Sequence, residues 1–216
     1  MIEVTDFLGD VLYKSEHDTL KELMEEATRL GVKMKGARLR GAILDNANLQ
    51  YADLEKCCLI GSDLVGAKLT GTELGFADLR GATLFEAQLA GARLVQADLR
   101  GADFMNADLS KADLRGANLG GTELEGADLT DADLRGADLR GADLSGAIWT
   151  RANLCHADLT GADTAGISFL EIHTHQTKGL DLHHEQAKRI KALKKRLEAE
   201  AMQAVAKAKS AKQNRA

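Results

Sequence analysis

The chain has 216 residues, a net charge of −5, 44% hydrophobic residues, 4% aromatic residues and no proline. So few large rings exclude an ordinary globular core of this size and predict a narrow interior of small and medium aliphatic side chains. The mean hydropathy of −0.23 and the lack of an apolar run near 18 residues exclude a membrane span. Acidic Glu3 and Asp6 argue against a secretory leader, and three cysteines without a CxxC motif fit a reducing compartment. We therefore expect a cytoplasmic protein.

Residues 1–36 are predicted to form an N-terminal cap on the repeats that follow them. Two short β-like runs, at 2–4 and 11–13, precede a helix that we expect over about 18–30. Open ends of a repeat domain expose unpaired backbone groups, so a capping element is needed there. The alternative is a helix dedicated to binding a partner.

The signals for this helix lie at both of its ends and along one face. Asp18 or Ser15 is the expected N-cap, and Gly31 is the expected stop at the C-terminal end. The apolar residues that follow the helical spacing are Leu20, Leu23, Met24, Ala27 and Leu30. This stripe predicts a helix that buries one face.

From Ala37 onward the chain repeats with a period of five residues and no insertion. Every fifth residue from 39 to 159 is Leu, except Phe104 and Trp149, and the residue two before it is nearly always Ala. A period of five fits neither an amphipathic helix nor a flat strand. The chain is therefore expected to turn once per pentapeptide, with the Leu and the small residue pointing inward and the other three positions facing water.

The pattern A-[DN]-L-x-G, present at Ala77–Gly81, Ala137–Gly141 and Ala142–Gly146, resembles the pentapeptide-repeat family. The resemblance covers residues of about 34 to 164. It implies an all-β solenoid, a right-handed quadrilateral β-helix with four pentapeptides in each 20-residue coil. We accordingly assign 37–164 to the β-helix.

A column of glycines supports the 20-residue coil independently. Glycine occupies position 41 and every twentieth position after it up to 161, whereas the column starting at Lys56 is mixed. The glycine column predicts one corner of each coil with a positive φ, which glycine adopts most easily.

The C-terminal part of the chain is predicted to contain a coil cap at 165–181 and a basic amphipathic helix at 182–212. The helix would carry an apolar stripe made of Ile190, Leu193, Leu197, Ala201 and Val205. Such a stripe cannot be buried within one helix. It could dock along the solenoid or form a homodimer, and family members that bind topoisomerases also dimerise through this part.

Charge divides the chain into an acidic rod and a basic tail. Residues 37–164 have a net charge of −8, and residues 165–216 have +6. The candidate partner face consists of two columns that run up one side of the rod, namely Asp78, Asp98, Asp138 and Asp158 beside Arg80, Arg100 and Arg140. Interleaved arginines can simply offset the repulsion of stacked carboxylates. Alternatively, the acidic columns imitate DNA, as the resemblance implies for family members that bind type II topoisomerases.

Another candidate surface is an apolar strip in which Val65, Phe85 and Met105 occupy one outward position on successive coils. The strip could be covered by the C-terminal helix or could bind a partner. The basic residues at 188–196 could in turn contact nucleic acid, although the flanking Glu185, Glu198 and Glu200 favour a solvated face.

We find no pattern that indicates catalysis. The glycines and carboxylates follow the repeat, adjacent histidines such as His183 and His184 do not converge on a metal, and a filled tube leaves no substrate pocket. We therefore predict no enzyme activity, no cofactor, no metal and no small-molecule substrate. The leading hypothesis is a scaffold that binds another protein. The alternatives are a DNA-mimicking modulator of gyrase or another type II topoisomerase, and a nucleic-acid binder.

Overall fold

The computed structural model describes residues 1–167 and 171–180. It opens with the strands β1 (Ile2–Thr5) and β2 (Val11–Ser15), which pair antiparallel with a register shift between Val4 and Thr5. The helix α1 follows at Leu20–Arg29. The two predicted β-like runs and the predicted helix are confirmed.

The N-cap of α1 is Thr19, so the prediction of Asp18 or Ser15 is wrong. The Thr19 hydroxyl accepts a hydrogen bond from the Glu22 amide, and the Glu22 carboxylate accepts one from the Thr19 amide, which completes a capping box. The reciprocal pair requires Glu three residues after the cap, and only Thr19 meets this condition among the three candidates. Gly31 has a φ of +68° directly after the C-cap residue Leu30, as predicted.

The repeat forms a β-helix solenoid in which each residue of the ladder pairs with the residue 20 positions later. Parallel bridges join Arg38 to Cys58, Cys58 to Asp78 and so on, and equivalent ladders begin at Ile43, Asn48 and Asp53. Each coil therefore has four faces. We number them in chain order by their central residues, so that the first, second, third and fourth faces are centred on Leu39, Leu44, Leu49 and Leu54 and on every twentieth residue after each.

The core of the solenoid consists of the inward columns that the sequence predicts. The central Leu residues, Phe104 and Trp149 are at most 2% exposed, and the Ala positions are at most 6% exposed. The polar substitutes at Ala positions are satisfied, since the buried hydroxyls of Ser62, Thr72 and Thr122 each donate to a backbone carbonyl. Helix α1 adds Leu23, Met24 and Ala27 to the buried set, whereas Leu30 is exposed.

Every face, rather than a single one, turns its corner with a positive φ. Glycines of the predicted column, such as Gly81, share this conformation with non-glycine residues on the other three faces, among them Glu86, Lys111 and Phe76. The positive φ predicted for the glycine column is confirmed, but the other three corners share it, so it does not distinguish that corner. A Cβ added to the glycines of the predicted column would meet nothing within 4 Å, so close packing does not explain why that column is uniformly glycine.

The N-terminal edge of the solenoid is hydrogen-bonded by the cap. The Thr5 carbonyl accepts from the Arg38 amide at 2.9 Å, and the Glu25 carboxylate of α1 accepts from the Asn48 amide at 2.8 Å. Both acceptors take the place of a preceding coil. The cap thus removes two donors from the open edge, where a foreign strand could otherwise pair.

At the other end, the ladder continues into the segment predicted as a coil cap. Bridges join Asn153 to His173 and Asp158 to Lys178. A Cβ on Gly179 would overlap the backbone of Leu159 and Thr160, so glycine is needed where the chain crosses the preceding coil. The predicted helix at 182–212 lies outside the described residues.

Candidate protein-binding faces

The predicted partner face is the first face of the solenoid, and in three of its pentapeptides an aspartate pairs with the arginine two residues later. Arg80 donates from Nε and Nη2 to the two carboxylate oxygens of Asp78, at 2.9 and 2.8 Å. Arg100 with Asp98 and Arg140 with Asp138 repeat this bidentate geometry. The arginines therefore neutralise the carboxylates two residues before them.

These pairs leave a signature in the titration of the aspartates. The hydrogen bond from Arg80 lowers the pKa of Asp78, and Arg100 and Arg140 lower the pKa of Asp98 and Asp138 in the same way. Asp158 differs, because its pKa is lowered mainly by hydrogen bonds from the hydroxyl and the amide of Thr160.

The fourth and third faces are balanced by similar pairs. On the fourth face, Arg115 and Arg135 form bidentate pairs with Asp113 and Asp133. On the third face, Arg151 reaches across one coil, and its Nε and Nη2 lie 2.6 Å from the oxygens of Asp131. Within 37–164, the first face has four acidic and five basic residues, the third face has three of each, and the fourth face has five acidic and four basic residues.

The second face holds the whole charge excess of the repeat. It carries eight acidic residues within 37–164 and no Lys or Arg, and these eight are Asp45, Asp63, Glu86, Asp103, Glu123, Glu125, Asp143 and Asp163. No ion pair reaches any of them from residues 1–167 or 171–180. We call this surface the acidic face.

Several aspartates of the acidic face accept hydrogen bonds from the backbone. Asp63, Asp103 and Asp143 each accept a hydrogen bond from the amide two residues later, at 2.9–3.1 Å. The hydrogen bonds from Ser145 lower the pKa of Asp143. Glu123 and Glu125 project into solvent. Charge summed by segment hides this face, whereas the same sum taken along each face with a period of 20 residues reveals it.

The predicted apolar strip lies on the acidic face. Val65, Phe85 and Met105 are half-buried and lie on adjacent coils, where the Glu86 amide donates to the Met105 carbonyl at 3.0 Å. Ile43, one coil nearer the N-terminus, is 69% exposed on the same face. The structure thus combines two features that the sequence analysis treated separately, and it places them away from the columns of the first face.

A comparison with protein-family models agrees with the coil geometry. Eight copies of the family described as "Pentapeptide repeats" match the chain, in overlapping segments that run from residue 31 to residue 166. The matched segments span more than half of the chain. The chain belongs to the pentapeptide-repeat family.

Solved structures of other pentapeptide-repeat proteins resemble this one. HetL, which is involved in heterocyst differentiation regulation in the cyanobacterium Nostoc sp. strain PCC 7120, is 32% identical, with 67% of this chain and 81% of HetL covered and a TM-score of 0.33. QnrB1, a plasmid-mediated fluoroquinolone resistance protein, is 27% identical, with coverages of 68% and 79% and a TM-score of 0.30. A protein of the Arabidopsis thaliana thylakoid lumen is 36% identical, with coverages of 46% and 66% and a TM-score of 0.26. No curated protein matches the chain.

The described part of this pentapeptide-repeat protein contains no cluster of three His, Cys, Asp or Glu side chains arranged to hold a metal ion. Cys57 replaces an inward Ala, and burial raises the pKa of its thiol far above the ordinary value. An open cleft of about 590 Å³ lies beside α1 and is lined by residues that include Glu22, Glu25, Arg29 and Tyr51. No helix in the described ranges is long and apolar enough to cross a membrane.

The predicted dimer stripe of Ile190, Leu193, Leu197, Ala201 and Val205 lies outside the described residues.

Proposed function

We propose that this pentapeptide-repeat protein is a non-enzymatic scaffold that binds another protein through the wall of its solenoid. The observation that carries the proposal is the filled core. Leu and Ala columns occupy the axis of the coils and are almost fully buried, so within the repeat the side chains available to a ligand are those on the four outer faces. Ladders of backbone hydrogen bonds hold these faces in a fixed register, and such preorganisation favours binding.

The test is affinity capture of the full chain from cells of the organism that produces it, after brief cross-linking. We expect one protein to be retained in near-stoichiometric amount and to form a complex again when both components are purified and mixed. If no protein meets both conditions, the scaffold proposal is wrong.

A second candidate function is modulation of a type II topoisomerase by DNA mimicry, and one observation favours it. The acidic face presents carboxylates on successive coils, at steps of about 4.8 Å, without a Lys or Arg among them. A protein that binds the phosphates of duplex DNA could be attracted by such a surface. The first face is less suited, since its Asp78, Asp98 and Asp138 are paired with arginine.

A supercoiling assay with bacterial gyrase, with and without a quinolone, tests this second function. We expect inhibition or protection from the drug, and we expect Glu123→Gln/Glu125→Gln to weaken either effect. Asp98→Asn/Asp138→Asn is the matched control, because it changes the net charge equally on the first face. A lack of effect at large excess would eliminate gyrase as the target.

Homodimerisation and nucleic-acid binding through residues 182–212 stay predictions. Deletion of residues 182–216 is expected to abolish either activity, with the oligomeric state and salt-sensitive DNA binding as the measurements.

A further inference from the structure

The acidic face has the layout of a binding site for one kind of partner. We infer that it docks a basic amphipathic helix of a partner protein, whose apolar side chains lie along Val65, Phe85 and Met105 and whose Lys and Arg side chains contact the surrounding carboxylates. This inference rests on the proposed scaffold function, and it names the face and the chemistry of the partner.

Carboxylates surround the apolar strip on the acidic face. Val65, Phe85 and Met105 share one outward column, and the same column continues with Asp45 at one end and Glu125 at the other. The parallel column on this face includes Asp63, Asp103, Glu123 and Asp143, while Glu86 occupies the corner on the opposite side. An apolar centre inside a polar rim is the usual anatomy of a protein interface.

The acidic face is complementary in charge to a basic helix. The carboxylates of this rim have no cationic partner within residues 1–167 and 171–180, whereas Asp78, Asp98 and Asp138 of the first face and Asp113 and Asp133 of the fourth face are already paired with arginine. A ligand that supplies Lys or Arg therefore forms ion pairs here without displacing any pair formed within those residues. An acidic ligand would be repelled.

The length of the apolar strip matches one face of a short helix. Val65 and Met105 lie two coils apart, which is about 10 Å at the spacing of neighbouring strands. Apolar residues at positions i, i+3 or i+4, and i+7 of a helix span about 10 Å as well, since the helix rises about 1.5 Å per residue. Three residues of one helix face thus match the three residues of the strip, while carboxylates lie beyond both ends.

The apolar strip also separates this proposal from DNA mimicry. A surface that only imitates phosphates acts through charge, so its binding falls steeply as salt rises. Burial of apolar side chains persists in salt, because it does not depend on electrostatic attraction. Binding to the acidic face is therefore expected to keep a salt-resistant part that depends on Phe85.

The test is titration of the full chain with a labelled synthetic peptide of Lys and Leu, about 18 residues long, with leucines spaced i, i+3 or i+4, and i+7. Two peptides serve as controls, one with the same composition in scrambled order and one with Glu in place of Lys. We expect the amphipathic basic peptide alone to bind well, and we expect part of this binding to survive about 0.5 M salt.

Two pairs of variants locate the site. Phe85→Ala is expected to weaken binding about tenfold through lost apolar burial, whereas Phe76→Ala, at an exposed corner of the fourth face, leaves it unchanged. Glu123→Gln/Glu125→Gln is expected to weaken binding several-fold at low salt, whereas Asp98→Asn/Asp138→Asn has little effect. Circular dichroism and the melting temperature verify that each variant is folded.

Several results would overturn the inference. They are equal binding of the scrambled peptide and equal losses in the two members of either pair. A shift in oligomeric state caused by Phe85→Ala would assign the face to a second copy, and tighter peptide binding after deletion of residues 182–216 would assign it to the C-terminal segment of the same chain. The partner protein captured in the scaffold experiment separates the docking inference from the scaffold function. If it binds the variants of the acidic face as well as it binds the native chain, the docking inference fails while the scaffold function stands.

Discussion

The ring of Tyr51 lies over Gly71 of the next coil. A Cβ built on Gly71 would lie 2.6 Å from the ring carbons Cδ1 and Cε1, and both residues have a positive φ at the same corner of the third face. The absence of a side chain on one coil thus makes room for an aromatic ring on the previous one. Asn46 and Gly66 repeat the arrangement on the second face.

We predict that Gly71→Ala destabilises the protein more than Gly81→Ala. Both substitutions place a Cβ at a φ above +60°, which costs about 1–2 kcal/mol, but a Cβ at Gly81 meets nothing within 4 Å. Since Tyr51 is 75% exposed, its ring can move aside, and we expect an extra cost of at most about 1 kcal/mol. Chemical denaturation measures the difference. The Tyr51→Ala background should abolish it, and persistence there would disprove the contact.

The capping box of α1 yields a second prediction. Thr19→Ala removes the side-chain acceptor for the Glu22 amide and should cost about 1 kcal/mol of unfolding free energy. Asp18→Ala is the matched control, because Asp18 is not the N-cap and its loss should leave stability nearly unchanged. Equal effects of the two substitutions in a denaturant titration would contradict the assignment of Thr19.

The Leu columns predict a large cost for core truncation. Leu99 is fully buried in the first face, so Leu99→Ala should destabilise the chain by about 2–5 kcal/mol. Arg100→Ala, at the next residue but facing outward, should change the denaturation midpoint much less. A midpoint for Leu99→Ala close to that of the native chain would mean that the coils collapse to fill the space.

The aspartate–arginine pairs predict a loss of stability in acid. Arginine lowers the folded-state pKa of Asp78, Asp98, Asp113 and Asp138 below the value in the unfolded chain. The unfolded-state pKa of an aspartate is about 3.9. Between the folded-state and unfolded-state pKa values, the unfolded chain binds more protons than the folded chain. The stabilisation that these pairs provide is therefore complete above about pH 3.9 and is lost as the pH falls through the folded-state pKa values. Melting temperatures between pH 5 and pH 2 measure the slope.

Substitution of these four aspartates by Asn should flatten that slope while it lowers stability at neutral pH. An unchanged slope would mean that other carboxylates govern acid unfolding.

The periodic sequence is sufficient to predict the solenoid. The Leu and Ala columns have a period of five, and burying them requires a chain that turns at each pentapeptide, whatever the outer residues are. The cap strands and the stop of α1 at Gly31 were also predictable, because they depend on short-range backbone preferences. Charge on each face follows from the sequence once the 20-residue register is known.

The partners of the outward side chains, by contrast, become visible in the folded coils. Arg80 has two carboxylates within reach, and it forms its bidentate pair with Asp78 of its own pentapeptide while Asp98 lies at 3.6 Å. Arg151 instead pairs across a coil. The positive φ at every corner was equally hidden, since residues other than glycine occupy it wherever the ladder holds the backbone in place. These choices depend on competition between neighbours in the same pentapeptide and neighbours 20 positions away, which local sequence preferences do not encode.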